Sequence, residues 1–271
     1  MAQASNKARE IARLVEERFG TVFPISGVDR DGAALEGLLA HRSYRTYSNQ
    51  PVDASLLKLL MACALSSPSK SDLQQADIIQ IIDSKKRAAI TELISDMPWV
   101  GEAPVFLVFC GNGRRIRQVS ELRGETFAND HLDAFFNAAV DAAIVMATFI
   151  NAAEAAGLGC CPISAVRNHC TAVNRLLELP DLVFPVAGMC VGYPDKEGHV
   201  SQRLPLDVTV HTDTFDETGL EQQIERYDQR RAAAMPESQR YFWSEAKAKQ
   251  YSEPHRTDFG DFVRGKGFKL T

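Results

Sequence analysis

The chain has 271 residues, 45% hydrophobic and 24% charged, with 17 Gly, 12 Pro and 6 Cys, the composition of an ordinary globular protein. Collagen-like, low-complexity and disordered classes are excluded, and the length allows a sizeable core without disulfides or a structural metal. The net charge of −5 speaks against a general nucleic-acid binder, and ten basic against eight acidic residues over 220–271 is too slight a surplus to imply a polyanion partner.

No stretch approaches the roughly 18 consecutive apolar residues of a membrane span. The opening MAQASNKAREIARLVEERF scatters charge where a secretion signal needs an apolar core, so a cytoplasmic protein without a membrane partner is expected. The cysteines at 63, 110, 160, 161, 170 and 190 contain no C-x-x-C and the histidines no H-x-x-x-H, so neither a redox dithiol nor a metal site is expected. Four of the six lie in apolar runs, which predicts buried structural thiols.

In chain order, Ala8, Ile11, Ala12, Leu14 and Val15 fit a short amphipathic helix over 6–18, followed by a Gly- and Pro-bearing linker to Gly32. Residues 1–32 therefore read as an N-terminal arm. Helical patterns follow at 33–41, 53–66 and 84–95, with apolar strand-like runs at 77–82 and 105–110. The second run, VFLVFC, suits a strand buried on both faces. The longest helix is expected over 132–156. Its Asp133, Asn137, Asp141, Thr148, Asn151 and Glu154 fall in one stripe about 140° wide, and the rest of its surface is apolar. This reads as a central core helix, with a dimer interface as the second reading. A short run at 160–164, a helix at 169–178 and a strand at 184–191 come next. The segment 216–250 reads as two charged helices broken at Met235-Pro236, and the mixture of strands and helices points to an α/β or α+β architecture.

Two glycine pairs invite a dinucleotide reading and fail it. Gly111-Asn112-Gly113 follows a strand, but Ile116 stands where the third glycine belongs; Gly157-x-Gly159 precedes a strand and fits a helix C-cap better. A different anion site is more persuasive. In His41-Arg42-Ser43-Tyr44-Arg45 two guanidiniums flank a hydroxyl, and each charge-assisted bond to a phosphate contributes about 1.5–3 kcal/mol. The competing reading is a solvated basic turn. Ser66-Ser67-Pro68-Ser69-Lys70-Ser71 gathers hydroxyls and one cation, as a ligand loop or an ordinary turn would, and Arg203 offers a further cation.

HRSYRTY from His41, the hydroxyl loop running on through SDLQ, GLGCCPISAVRNH from Gly157, PVAGMCVGYP from Pro185 and RLPLDVTVH from Arg203 occur in the order of the flavin-dependent nitroreductase family, which residues 33–271 resemble. The tail, with YDQRRA, Phe242-Trp243-Ser244-Glu245, Glu253 and Arg256, is similar to the oxygen-insensitive NADPH nitroreductases and NADPH flavin reductases. The resemblance implies an α+β fold, a mostly antiparallel sheet surrounded by helices, built as an intertwined homodimer with FMN at the interface, and with residues 216–271 as a C-terminal excursion.

It assigns His41, Arg42, Ser43, Arg45 and Arg203 to the FMN phosphate. Ser69, Lys70 and Ser71 are assigned to the flavin of the other subunit, Ile163, Ser164 and Ala165 to the ring edge, and Arg256 to a place over the site. The implied reaction is ping-pong: a hydride passes from NADPH or NADH to flavin N5 and onward to a nitroaromatic, quinone or flavin acceptor, with no catalytic acid, base or metal from the protein. The alternatives are a specialised relative, such as an ene-reductase, reductive dehalogenase or flavin-consuming enzyme, or a flavin-binding protein without turnover. Three departures stand out. Ser164-Ala165 replaces the family's glycine pair, Ser201 replaces a lysine, and a shortened loop leaves Arg230, Arg231 and Arg240 as candidates for binding NAD(P)H.

Overall fold

A computed structural model describes residues 6–22 and 32–271. In chain order they form α1 (Asn6–Phe19), α2 (Ala33–Leu39), α3 (Ala54–Leu65), β1 (Ala76–Gln80), α4 (Ser84–Leu93), α5 (Trp99–Glu102), β2 (Val105–Asn112) and α6 (Arg114–Arg123). Next come α7 (Leu132–Ala155), β3 (Gly159–Ile163), α8 (Cys170–Leu176), β4 (Val183–Gly192), α9 (Leu206–Thr209), α10 (Leu220–Ala233), α11 (Trp243–Gln250) and α12 (Phe259–Gly265). The linker expected before Gly32 falls mainly on 23–31, outside the described residues. The chain divides into two compact units, one of residues 1–42 and 199–255, the other of 43–198 and 256–271.

The second unit is built on a sheet of order β1-β2-β4-β3 in which every neighbouring pair is antiparallel. All eight positions of β2 are buried. Its alternation explains why: Phe106 and Val108 face a layer containing Ile90 of α4 and Val173 of α8, while Leu107 and Phe109 face Leu57 and Leu60 of α3 and Val145 and Phe149 of α7. A strand covered on both faces needs apolar residues at every position, as the VFLVFC run has. β4 carries Pro185 in a central strand. The register slips between Phe109 and Cys110, whose partners are Ala187 and Pro185, so Val186 is bulged and the proline occupies an irregular position in the ladder.

The helix α7 is by length and composition the one among the described residues able to span a membrane. Here Ala138, Ala142, Phe149 and Ala153 are fully buried in the core of the unit, so its apolar character serves packing. One residue of the expected polar stripe departs from it, because Asp141 is 1% exposed and bonded inward. The Gly111-Asn112-Gly113 turn is likewise structural. A Cβ on Gly111 would lie 2.5 Å from the Phe184 ring and 2.9 Å from the Ala138 carbonyl, and Asn112 Oδ1 accepts the N–H groups of Arg114 and Arg115 at the start of α6. Gly157, at φ +78, follows the end of α7 as a C-cap glycine does.

In the first unit α1 buries Ile11, Leu14 and Val15 and packs against α2. α10 ends at Ala233 and α11 begins at Trp243, with Met235-Pro236 between them, where the sequence places the break. Buried Asp228 accepts bonds from the Ser244 N–H at 3.1 Å and from its hydroxyl, and Tyr227 meets Trp243 edge-on at 5.5 Å, which together fasten α11 to α10.

Candidate functional site

In the second unit, Ser43 forms a parallel bridge to Cys160, and the Tyr44 N–H donates to the Cys160 carbonyl at 3.0 Å. The basic segment thus runs along the free edge of β3. The Tyr47 hydroxyl closes the turn by donating to the Tyr44 carbonyl at 2.6 Å, and burial raises its pKa above the ordinary phenol value. The Arg45 guanidinium lies 5.9 Å from the Trp99 ring centroid and has no carboxylate partner among the described residues.

The end of β3 leads straight into a tight helical stretch, Ser164–His169. Ile163 and Ala165 are buried and Ser164 is exposed between them. Arg256 meets this corner: its Nε donates to Asn168 Oδ1 at 2.8 Å, and its Nη2 to the Ser164 carbonyl at 3.2 Å and hydroxyl at 3.4 Å. Two residues far apart in sequence and both singled out by the resemblance are in contact. Arg256 does this from a left-handed backbone, φ 55, a conformation that costs a non-glycine residue of order 1 kcal/mol and persists where the surroundings enforce it.

The hydroxyl loop is also unusual in its backbone. Ser71, Asp72 and Gln74 all have positive φ. Asp141 holds them from beneath, accepting from Ser69 Oγ at 2.7 Å, the Lys70 N–H at 3.0 Å and the Gln75 N–H at 3.1 Å. Ser69 Oγ in turn accepts the Gln74 N–H at 2.7 Å. Its donor is spent on Asp141, whereas Lys70 and Ser71 are exposed. Beside them lies a cavity of about 540 Å³ bordered by Ser67, Ser69, Gln75, Arg115 and Asp141, with Ser67 Oγ and Gln75 Nε2 buried without a hydrogen-bond partner among the described residues. Sequence reasoning missed Asp141 and Gln75; the available signal was a carboxylate in the middle of an alanine-rich apolar helix.

The first unit contains His41, Arg42 and Arg203. Arg203 Nη1 reaches only the carbonyls of its own loop, Ser201 at 3.2 Å and Gln202 at 3.4 Å, and no carboxylate among the described residues pairs with it. The three other arginines singled out in the sequence separate here. Arg230 is half-buried, stacks on Tyr227 at 5.6 Å and donates to the Arg203 carbonyl at 2.8 Å; desolvation lowers its pKa. Arg231 donates to the Tyr227 hydroxyl at 3.2 Å and the Tyr241 hydroxyl at 2.6 Å. Arg240 is exposed, its Nε 3.4 Å from the Met235 carbonyl.

These features fit FMN. Within the second unit, Arg45 offers a cation without a carboxylate partner among the described residues, which suits a phosphate, and Ser67 Oγ and Gln75 Nε2 are buried polar groups of the kind that bond a polar ligand. Among the described residues no cluster of His, Cys, Asp and Glu is able to hold a metal.

An antiparallel α+β unit with a basic segment along its sheet edge is the class of protein defined here. Comparison with known proteins agrees. The Nitroreductase family model matches residues 38–193, and the model of the Nitroreductase family C-terminal domain matches 201–271. The chain belongs to the nitroreductase family. It is 31% identical over 245 residues to an NAD(P)H FMN reductase of Bacillus subtilis, covering 87% of this chain and 98% of the relative. It is 33% identical over 198 residues to the oxygen-insensitive NADPH nitroreductase of Salmonella typhimurium, covering 73% and 80%. The solved structure of NfrA2 from B. megaterium aligns with a TM-score of 0.84 at 30% identity, over 88% of this chain and 98% of that one.

Proposed function

We propose that the protein is an FMN-dependent NAD(P)H oxidoreductase that reduces small electron-poor acceptors such as nitroaromatics, quinones or free flavin. One observation carries this reading. The family match runs through every segment that the resemblance gives to the flavin, from 41–45 through 69–71 and 163–165 to Arg203 and Arg256.

His41, Arg42, Ser43 and Arg45, with Arg203, take the phosphate of FMN, and Ile163, Ser164 and Ala165 take the edge of its ring. Bound there, FMN would supply two-electron hydride chemistry between NAD(P)H and the second substrate. The protein's part is binding and orientation. Cationic Arg256, fixed by Asn168 and Ser164, places positive charge at the corner where Ser164 stands, which favours an electron-rich ring. Exposed Arg240 is the residue of the three candidates best suited to meet the 2′-phosphate of NADPH, since Arg230 and Arg231 are engaged within the fold.

The protein acts as a homodimer. Leu59 and Leu65 of α3 and Leu132 and Phe136 of α7 are 59, 55, 48 and 61% exposed, an apolar surface on two helices that already pack together. Lys70 and Ser71 then face the flavin of the partner. All six cysteines are free, in keeping with the reducing cytoplasm. Steady-state NADPH and NADH oxidation measured against a panel of nitroaromatics, quinones and free FMN tests the reading. Turnover with at least one acceptor class is expected, and none with any of them refutes it.

A further inference from the structure

Arg18 lies near the C-terminal end of α1 and is 5% exposed. A buried guanidinium is costly unless its donors are met. Here its Nε donates to the Leu39 carbonyl at 2.9 Å and its Nη2 to the His41 carbonyl at 2.6 Å. The carbonyl of Arg18 itself accepts the Arg203 N–H at 2.6 Å. One residue therefore ties down the peptide that leads into Arg42 and the peptide of Arg203.

The end of α1 reinforces this. Gly20 sits at φ +67, with its N–H bonded to the Glu16 carbonyl at 2.8 Å, and a Cβ there would fall 2.6–2.8 Å from the Arg230 guanidinium. That absent Cβ leaves the space in which Arg230 lies, and from it Arg230 reaches the Arg203 carbonyl. The Arg203 peptide is held at both its N–H and its C=O. A cavity of about 570 Å³ beside Arg18 has Arg203 and Arg231 in its wall and no acidic residue among the described residues that line it. α1 lies before residue 38, where the family match begins.

We infer that Arg18 is a positioning residue for flavin phosphate binding, through which α1 presets the backbones of His41-Arg42 and Arg203 for the anion. The inference rests on the proposed role of Arg42 and Arg203 in gripping the FMN phosphate. Its physical basis is preorganisation: guanidiniums whose backbones are fixed beforehand lose less freedom when the phosphate arrives.

FMN and riboflavin, which differ by that phosphate alone, separate positioning from general support of the fold. The full-length protein, stripped of flavin, is titrated with each and flavin fluorescence is followed. Arg18→Ala is expected to weaken FMN binding about tenfold while changing riboflavin binding less than about twofold. Arg18→Lys, which keeps a donor for one of the two carbonyls, is expected to fall between and serves if the alanine variant does not fold. An unchanged or equally weakened pair of affinities in these variants overturns the inference. Arg42→Ala is the control for the underlying reading. If it leaves the preference for FMN over riboflavin intact, the phosphate assignment itself fails; if it removes the preference and the Arg18 variants do not reduce it, the positioning role alone fails.

Discussion

Asp141, buried in the middle of α7, accepts the hydroxyl proton of Ser69 at 2.7 Å and so anchors a loop three of whose next five residues have left-handed backbones. A buried carboxylate with three donors converts a strained loop into a fixed one. Asp141→Ala leaves the Lys70 and Gln75 N–H groups and the Ser69 hydroxyl without their acceptor. A loss of about 2–4 kcal/mol is expected, with a smaller loss for Asp141→Asn, which keeps one oxygen acceptor. Thermal unfolding checks this, and an unchanged Tm for the alanine variant contradicts it.

Removing both cations of the 41–45 segment, Arg42→Ala with Arg45→Ala, is expected to weaken FMN binding by about a hundredfold or more, since each charge-assisted contact contributes about 1.5–3 kcal/mol. Protein purified from cells should then be colourless. Stoichiometric yellow FMN in the double variant would show that the phosphate is held elsewhere.

Arg256→Ala removes the bonds to Ser164 and Asn168. A drop of roughly three- to tenfold in the rate of flavin reduction by NAD(P)H is expected, from the loss of a cation near the developing negative charge. Stopped-flow absorbance at the flavin band measures it. Ser164→Gly, which keeps the carbonyl and loses only the 3.4 Å hydroxyl contact, should change that rate much less.

Burial pushes the thiols of Cys110 and Cys190 up to about 12 from an ordinary value of 9.0. The folded state therefore keeps them protonated while the unfolded chain ionises. Their contribution to stability is full below about pH 9 and is lost as pH rises from there to about 12. Denaturant midpoints should fall across this range, and less steeply in Cys110→Ala than in the parent. The same burial makes five of the six cysteines silent to a thiol reagent in the native protein at pH 8, leaving Cys63 as the only exposed one.

Much of the fold is legible in the sequence because its signals are local. The VFLVFC run, the alanine-rich periodicity of α7 and the Met235-Pro236 break each state their structure within a few residues. The failed dinucleotide fingerprint is legible for the same reason, and Gly111 serves packing against Phe184 instead. The site is less legible because its geometry is made by distant partners. Spacing places Asp141 on a polar stripe, and only the hydroxyl loop folded against α7 shows it bonded inward. Arg230 looks like a surface cation until Gly20 and Arg203 close around it, and nothing near Arg18 in sequence announces the carbonyls of Leu39 and His41 as its partners.

The most direct measurement is the visible spectrum of the purified protein, followed without oxygen as NADPH and NADH are added separately. An FMN band that bleaches within seconds with at least one of them is the expected result, and identifies the electron donor. A protein that shows no flavin band even after FMN is supplied, or whose bound flavin neither nucleotide reduces, would contradict the assignment of FMN-dependent NAD(P)H oxidoreduction.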